Sequence, residues 1–494
     1  MKKFVAMMLA LALCLGLVSV AANADETMKI VMMVDNTILN QNNGRDAIEA
    51  RWEELHPGYD LEIIQPDHSA YYDVLQQRIA SGDLPDVVLL SSTYYADYAA
   101  AGLLWDMTDA WENSQTKNSG RFTGDTVFEG LKIDGKLYGF APTRGNGCVT
   151  YVKQAWLDAV GMEAPTTYDE YIAMCKAFVE KFGTYAISAA GFVGNEAPFV
   201  NYLPEFYQDA YPYFVQQEDG TWVDGFTLDN MKAALQRIQD AVAEGLIDKE
   251  TLTNKTSDAR NKFYDDKFGV FTYWAGTWAT NLKTNLEAKG LDGTLVALKP
   301  LEGLPPYYDR VPPMWCITAK CAEPQKVFDA FIDSMLDGGD TQMLWTYGVE
   351  GVHWSKAAGT VLAGVEGKEK TYEDGQFHML ENLETAGTLY TKNHIDPMLA
   401  LASFADGYYD PREDSVKPEA KAAAELFNAN SRLASIVPAT PELSELNGDL
   451  TMIKNEIIAD IALGTISVEE GYKRFESEGL DLSNEIVESL NALQ

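Results

Sequence analysis

The front part of the chain alternates short apolar runs with segments in which apolar residues recur every three or four positions. The runs Lys29–Val34, Leu61–Ile64 and Asp86–Ser91 predict buried strands. Apolar positions at helical spacing predict helices over 48–55 and over Tyr71–Ala80. Strand–helix–strand units of this length predict a parallel sheet with helices on both faces. In such a sheet, ligands bind beyond the carboxyl ends of the strands.

A second alternating unit follows the first along the chain. Cys148–Val152 and Phe268–Trp274 predict strands, and Leu228–Glu244 predicts a long helix. Thr167 and Glu170 have the spacing of a capping box, which predicts that a further helix begins there. The pattern therefore predicts two α/β units in one chain.

Three further segments complete the pattern. Tyr185–Ala190 predicts one more strand, and the prolines concentrated between 295 and 313 predict a crossover linker. Met314–Thr318 predicts a strand that follows this linker. The tail is mostly helical, and its last long helix carries an apolar stripe of Ile453, Ile457 and Ile461.

The first 24 residues have the pattern of an export signal. Two lysines precede an apolar run over Phe4–Val20, and Ala22–Ala24 supplies the small-x-small pattern that a leader peptidase cuts. We therefore predict a signal peptide over 1–24 and an exported protein, with an uncleaved membrane anchor as the alternative. Cys14 follows a leucine, so we do not expect a lipid to be attached at that cysteine.

The net charge of the chain argues against some classes of binding partner. The net charge of −36 argues against nucleic acid, because binding a phosphate backbone requires cationic neutralisation. After the leader, no stretch reaches the roughly 18 apolar residues of a membrane-spanning helix. The composition predicts a soluble, acidic protein that stays away from anionic surfaces.

Cysteines beyond the leader are too few for a disulfide-built scaffold. We interpret them as small core residues, with a bridge between the last two as an alternative. They are Cys148, Cys175, Cys316 and Cys321.

The sequence lacks the common signatures of catalysis and metal binding. It contains no G-x-S-x-G, H-E-x-x-H or G-x-x-x-x-G-K-[ST] motif, and its histidines never fall at metal-ligand spacing. We therefore expect no catalytic residue, no metal and no cofactor. Asp406, Asp410 and Asp414 leave a calcium site open, although we interpret them as a solvated acidic loop.

Aromatic residues gather where the predicted strands end. Sugar rings have apolar faces that stack on aromatic rings and hydroxyls that require polar partners, so a sugar site combines both kinds of side chain. For any single ring, packing in the core is an equally good interpretation. The aromatic candidates for ligand contact are Tyr94, Tyr95, Trp274, Trp278, Trp315 and Tyr347.

Polar candidates lie in loops near the same places. Arg144 and Asn146 lie in the segment that is predicted to pass from the first α/β unit, or lobe, to the second. The planar guanidinium of Arg144 could hold a ligand, or it could hold the two lobes together through a carboxylate. Asn36 follows the first strand, where ligand binding competes with a cap or a turn. Glu350 is a candidate partner for a ligand hydroxyl, with a salt bridge as the alternative.

Three groups of segments resemble the extracellular solute-binding proteins of carbohydrate ABC importers. The last group resembles the larger members that bind oligosaccharides, including the alginate-type proteins. In chain order the segments are Ser81–Val87 with Ala96–Asp109, then Asp134–Pro142 with Trp156–Asp158 and Pro165–Glu170, and finally Tyr347–His353 with Ile466–Tyr472. The resemblance implies two α/β lobes that close around a ligand and then dock on a membrane permease.

Together these observations predict an α/β, two-lobed, periplasmic-binding-protein-like fold with a ligand cleft between the lobes. We expect the N-terminal lobe to comprise 25–142 and about 310–348, and the C-terminal lobe 143–309 and about 349–494. We predict that the protein is an exported monomer that captures a carbohydrate and delivers it to an ABC permease. The expected carbohydrate is an oligosaccharide. A secreted carbohydrate-acting enzyme, a sensor or adhesin of the same fold, and a binding protein for a non-sugar solute are the alternatives.

Overall fold

The structure, a computed structural model, describes residues 27–36, 44–193, 203–304, 306–363, 368–380, 395–408, 417–438 and 441–493. The predicted signal peptide and the aspartates Asp410 and Asp414 lie outside these residues. Within them, no helix combines the length and the hydropathy that a membrane crossing requires.

Strands and helices alternate through most of the described chain. The strands are β1 (Met28–Met33), β2 (Tyr59–Ile64), β3 (Val87–Leu90), β4 (Cys148–Lys153), β5 (Phe214–Gln216), β6 (Trp222–Asp224), β7 (Val270–Trp274), β8 (Leu295–Ala297), β9 (Tyr307–Asp309), β10 (Met314–Ile317), β11 (Trp354–Ser355), β12 (Gly359–Ala363), β13 (Lys368–Tyr372), β14 (His378–Met379) and β15 (Ser431–Leu433). The α-helices are α1 (Arg45–Leu55), α2 (Tyr71–Ser81), α3 (Ser92–Ala100), α4 (Thr108–Glu112), α5 (Gln115–Asn118), α6 (Asp125–Leu131), α7 (Gln154–Val160), α8 (Tyr168–Phe182), α9 (Pro204–Tyr207), α10 (Asp229–Ala243), α11 (Thr256–Tyr264), α12 (Thr277–Ala288), α13 (Pro324–Val327), α14 (Asp340–Tyr347), α15 (Pro418–Ala429), α16 (Pro441–Ala462), α17 (Val468–Glu478) and α18 (Leu480–Ala492).

The first sheet has the strand order β10-β3-β1-β2. β1 pairs in parallel with β2, where Met28 lies opposite Tyr59, and with β3, where Met33 lies opposite Val88. The predicted parallel unit is therefore present. β10 differs, because it joins the free edge of β3 in the antiparallel direction. It enters the sheet from the second lobe and not through a helical crossover, so nothing forces it to run parallel.

The second sheet has the order β7-β4-β8, and β4 is antiparallel to both neighbours. Its central pairing places Cys148, at the start of β4, opposite Trp274, at the end of β7. The predicted strand over Tyr185–Ala190 does not form. Only Ile187 in that segment makes isolated bridges, to Ile247 and to the start of β7.

The two sheets lie in separate hydrophobic cores, one in each lobe. The first core takes its buried residues from 30–141, 311–345 and 395–402, and the second from 152–301 and 443–490. A smaller cluster packs the rest of β4 and β7 against α12 and α15. Ile395, Leu401 and Ala402, which the sequence placed with the second lobe, pack in the first core.

The four later cysteines are all buried free thiols, as their interpretation as core residues predicted. The alternative bridge between Cys316 and Cys321 is absent. The predicted capping box is present at Thr167 with Glu170, and a second capping box, of Ser467 with Glu470, begins α17 in the tail.

The tail helices complete the second lobe. Ile457 and Ile461 on α16 are fully buried, and Ile453 is half-buried beside them, as the apolar stripe predicted. α16 packs on α10, α17 and α18, so the end of the chain covers a core that β4 and α8 began.

A buried ion pair ties α16 to the rest of the second lobe. Lys454 Nζ lies 2.6 Å from Asp224 Oδ1 at the end of β6, and both side chains are 1% exposed. The same carboxylate accepts hydrogen bonds from Phe226 N and Ser483 Oγ, at 2.9 and 2.7 Å. Lys454 also donates to Pro212 O at 3.0 Å, so the site satisfies both charges.

Lys454→Met should destabilise the protein strongly, because it leaves the Asp224 carboxylate buried without its cation. We expect a loss of about 3–5 kcal/mol in the free energy of unfolding, measured by urea denaturation. Lys473→Met removes an exposed pair with Glu469 that water screens, and it should leave the free energy of unfolding nearly unchanged. Equal effects of the two variants would contradict this account of the pair.

Candidate ligand-binding site

Polar groups of the first lobe meet at the carboxyl end of β1. Asn36 Oδ1 accepts a hydrogen bond from His68 N at 3.1 Å, and Asp35 Oδ2 lies 3.2 Å from His68 Nδ1. Asn36 N in turn donates to Pro66 O at 3.0 Å. The asparagine therefore braces the loop after β2, as the turn interpretation predicted. Its half-buried position leaves it at the edge of the sheet where a ligand would approach.

A pair of tyrosines lies at the carboxyl end of β3. Tyr72 and Tyr94 stack with ring centroids 3.6 Å apart and planes 7° apart. Tyr72 OH accepts a hydrogen bond from Ser91 N at 2.9 Å, which fixes the ring beside the strand end. Burial raises the pKa of Tyr72, so this phenol stays neutral. The pair forms an aromatic surface next to the Asn36 loop, since β1 and β3 are neighbours in the sheet.

Three of the aromatic candidates are core residues in this structure. Tyr95, Trp315 and Tyr347 each have 0% exposure. Tyr95 OH donates to Leu131 O at 2.7 Å and accepts from Tyr138 N at 3.1 Å, so its polar end is satisfied internally. Trp315 and Tyr347 pack among other rings. The reason is the face on which each ring lies: Tyr95 is on a buried position of α3, Trp315 lies within the fully buried strand β10, and Tyr347 is a buried residue at the end of α14.

The crossing segments between the lobes are held by Arg144. Its Nε donates to Asp309 Oδ2 at 2.7 Å and its Nη2 donates to Ser431 Oγ at 3.0 Å. Burial raises the pKa of Asp309, against the opposing effect of the Arg144 guanidinium. Arg144 therefore joins three segments of the chain through a carboxylate and a hydroxyl. Its role towards a ligand stays a prediction.

Two glycines let these segments approach so closely. A Cβ added at Gly145 would lie 1.6 Å from Arg310 O, and one at Gly147 would lie 2.3 Å from Tyr308 O. Asn146 between them has φ of 65°, a left-handed conformation that asparagine tolerates better than most residues. The backbone of residues 144–147 can thus run directly against 308–310.

Trp274 lies at this junction, at the end of β7. The Arg310 guanidinium carbon lies 5.1 Å from the Trp274 ring centroid, and Arg310 N donates to Asn146 O at 2.9 Å. Asn146 Nδ2 donates to Ala275 O at 3.3 Å. We call the half-buried or exposed residues at this place the junction surface: Asn146, Trp274, Tyr308, Arg310 and Arg432.

Trp278 lies one helical turn further, in the first turn of α12. Its ring meets Tyr273 edge-on at 4.9 Å, and the Arg260 guanidinium carbon lies 5.0 Å from its centroid. The indole is half-buried, so one part of it remains open to solvent.

Glu350 lies elsewhere, in an open groove of about 540 Å³ on the first lobe. The groove is lined by charged residues of both signs, including Arg51, Asp340 and Lys356. Tyr408 OH donates to Asp340 Oδ1 at 2.6 Å across one side of it. Glu350 is exposed, and the geometry does not bring it together with the junction surface.

The sequence did not single out Tyr72, Tyr308, Arg310 or Arg432. Tyr308 and Arg310 lie in the proline-rich stretch that was interpreted as a linker, although part of this stretch forms β9. Buried Tyr307 and Asp309 alternate there with half-buried Tyr308 and Arg310, and this alternation is the pattern by which the strand could have been found. No local pattern indicates that Arg432 pairs with this strand, because β15 is more than a hundred residues away.

A buried acid lies beneath the junction surface. Glu205, on α9, lines a small cavity of about 40 Å³ together with Thr272 and Tyr307, and its carboxylate is hydrogen-bonded by Thr150 Oγ1 at 2.5 Å. Burial raises the pKa of Glu205 to about 7. The folded protein therefore holds a proton that the unfolded chain releases at lower pH.

The free energy of unfolding should fall as pH rises from 4.5, the ordinary pKa of a glutamate, to about 7. The full contribution is present below this window and is lost above it, a change of about 3 kcal/mol at 1.36 kcal/mol per unit. Glu205→Gln keeps the size and an acceptor oxygen for Thr150, so it should remove this part of the slope. Urea denaturation across the window measures it.

Glu373→Gln changes an exposed glutamate and serves as the control, because it should keep the slope of the unmodified protein. An unchanged slope in Glu205→Gln would show that the buried carboxyl is not responsible.

Metal ligation finds no support in the described part of the chain. No group of three or more histidine, cysteine, aspartate or glutamate side chains gathers there in a way that could hold an ion. Asp406 is described, but its two predicted companions are not, so the calcium hypothesis for that loop stays a prediction.

Two α/β lobes, joined by crossing segments with strand ends on both sides, define a two-lobed binding protein. The chain belongs to the bacterial extracellular solute-binding proteins, because the model of that family matches residues 42–315. This confirms the resemblance that the sequence suggested.

Individual relatives are distant in sequence but similar in length and fold. The polygalacturonan/rhamnogalacturonan-binding protein YtcQ of Bacillus subtilis is 22% identical over 76% of each chain. The fructooligosaccharide ABC transporter substrate-binding protein FusA of Streptococcus pneumoniae is 26% identical over 40% of each chain. Among solved structures, the alginate-binding protein AlgQ2 without calcium matches with a TM-score of 0.60 and 18% identity, covering 95% of this chain and 98% of that one. The N-glycan transport protein NgtS of Streptococcus pneumoniae matches with a TM-score of 0.62 and 15% identity, covering 94% and 98%.

Proposed function

We propose that this protein captures an oligosaccharide between its lobes and delivers it unaltered to a membrane permease. The observation that carries the proposal is the placement of half-buried rings and hydrogen-bonding groups at strand ends of both lobes, beside the crossing segments. Tyr72 and Tyr94 stand on the first lobe, and Trp274 and Trp278 on the second. Aromatic faces with polar groups around them suit sugar rings.

The names of the relatives support a carbohydrate ligand. YtcQ and FusA are named for binding polymers or oligomers of sugars, and both resemble this chain over a substantial length. The family is extracellular by description, which agrees with the export signal predicted over 1–24 and with a place at the cell surface or in the periplasm. We propose that the protein acts as a monomer and performs no chemistry on its ligand.

Binding would work by shifting the balance between an open and a closed arrangement of the lobes. A ligand that touches both lobes binds the closed arrangement more tightly, and this difference favours closure. Asn36 and Tyr94 would supply contacts from the first lobe, and Asn146, Trp274 and Trp278 from the second. Arg144 would hold the crossing segments in place, so that the lobes move as units.

A thermal-shift screen against oligosaccharides tests the proposal. A sugar that binds only the folded protein raises the midpoint of thermal unfolding, by an amount that grows with its concentration. We expect at least one oligosaccharide to raise the midpoint and to be recovered unchanged by mass spectrometry. Release of new reducing ends would instead indicate an enzyme, and a shift with peptides or polyamines alone would indicate another solute.

Trp274→Ala and Trp278→Ala should each weaken binding of such a sugar by about 1–3 kcal/mol, because they remove an aromatic contact. Titration calorimetry gives the dissociation constants. Trp105→Ala removes a half-buried tryptophan that packs on Phe328, away from the junction, and should leave the affinity unchanged. Unchanged affinity in both junction variants would remove these two tryptophans from the site.

A further inference from the structure

Three arginines lie beside aromatic rings, and two of them, Arg310 and Arg432, belong to the junction surface. The Arg310 guanidinium carbon lies 5.1 Å from the ring centroid of Trp274, and that of Arg432 lies 4.7 Å from the Tyr308 centroid. Arg260 lies 5.0 Å from the centroid of Trp278. Each cation therefore accompanies a half-buried ring that is placed to contact a ligand.

Strand alternation puts two of these cations on one face. In β9, Tyr307 and Asp309 point into the protein, and Tyr308 points to the opposite side, followed two residues later by Arg310. Arg432 is in register with Tyr308, and its Nη2 donates to Tyr308 OH at 2.5 Å. Arg310 and Arg432 thus flank the same tyrosine.

The inner face of the same strands behaves differently. There Asp309 neutralises Arg144, and Ser431 accepts from it. Arg144 consequently has its Nε and Nη2 donors engaged within the fold. The outer face of β9 and β15 holds the cations, and the inner face holds the acid.

The positive charge on the outer face of β9 and β15 contrasts with the negative net charge of the chain. The net charge is −36, so an average surface patch of this protein is acidic. Yet among the residues that the structure describes, no carboxylate forms an ion pair, with an N–O distance of 4.0 Å or less, with Arg260 or Arg432. Guanidinium groups grouped beside rings in an otherwise acidic protein focus a local positive potential on what binds there.

We propose that this junction surface selects oligosaccharides that carry carboxylate groups, with Arg310 and Arg432 as the residues that determine the preference. The proposal rests on the proposed function, because it concerns the same ligand. A guanidinium presents parallel N–H donors that match a carboxylate, and a ring beside it offers a stacking surface to the attached sugar. An acidic sugar would therefore engage both members of each arginine–ring pair.

Trigalacturonate and its fully methyl-esterified form are the probes that isolate the charge, because they share rings and hydroxyls. Titration calorimetry should give a dissociation constant about 10- to 100-fold lower for the acid than for the ester. Affinity for the acid should also fall as sodium chloride rises from about 20 to about 200 mM, because salt screens the attraction.

Arg310→Gln and Arg432→Gln should each remove about tenfold or more of the affinity for the acid while changing affinity for the ester little. Arg78→Gln is the charge-matched control, since Arg78 pairs with Asp83 at the far end of α2. It should leave both dissociation constants unchanged. A structural role of the two arginines would instead weaken acid and ester equally.

The outcomes separate this inference from the proposed function. If neutral fructo- or malto-oligosaccharides bind, and neither galacturonate nor mannuronate oligomers bind more tightly than they do, the charge preference is wrong and oligosaccharide capture stands. If no carbohydrate of either class binds, both are wrong. Equal affinity for trigalacturonate and its ester also overturns the preference.

Discussion

The ion pair between Arg144 and Asp309 is the contact on which the arrangement of the candidate site depends. It joins the segment that enters the second lobe to the segment that returns from it, and Ser431 attaches a third segment to the same guanidinium. The Asp309 carboxylate is 1% exposed, so it would be costly to bury without the Arg144 guanidinium, which is 21% exposed. With this contact on the inner face of β9, Tyr308 and Arg310 are left on its outer face.

Two buried carboxyl groups of the second lobe show how burial acts on an acid. The Asp224 carboxylate accepts hydrogen bonds from Lys454, Phe226 N and Ser483 Oγ. No cation among the described residues pairs with Glu205, which instead keeps its proton, since burial raises its pKa to about 7. Burial thus has two outcomes for a carboxyl group, a partner or a proton. The first makes α16 part of the core, and the second makes the stability of the lobe depend on pH next to the junction surface.

Much of the fold could be predicted from local patterns. The three parallel strands, the capping boxes, the stripe on α16 and the burial of the cysteines follow from periodicity and from residue chemistry that neighbouring positions display. The candidate site could be predicted only in part. Five candidates lie at strand ends or in the crossing segment: Asn36, Tyr94, Asn146, Trp274 and Trp278. Three others are core residues: Tyr95, Trp315 and Tyr347. Contacts with residues far along the chain decide which face of a helix or strand is buried, so the local sequence does not show where these three rings point.

The sequence by itself determined the two-unit α/β pattern and the likeness to extracellular solute-binding proteins, because hydrophobic period, caps and family-like segments are all local in the chain. Only the tertiary structure decided which side of β9 faces inward, since that depends on β15 pairing from more than a hundred residues away. The same pairing decided that Arg144 holds the fold while Arg310 and Arg432 remain beside rings at the surface. Three arginines of identical chemistry have different neighbours, since Arg144 pairs with the buried Asp309 carboxylate, whereas Arg310 and Arg432 lie against the rings of Trp274 and Tyr308.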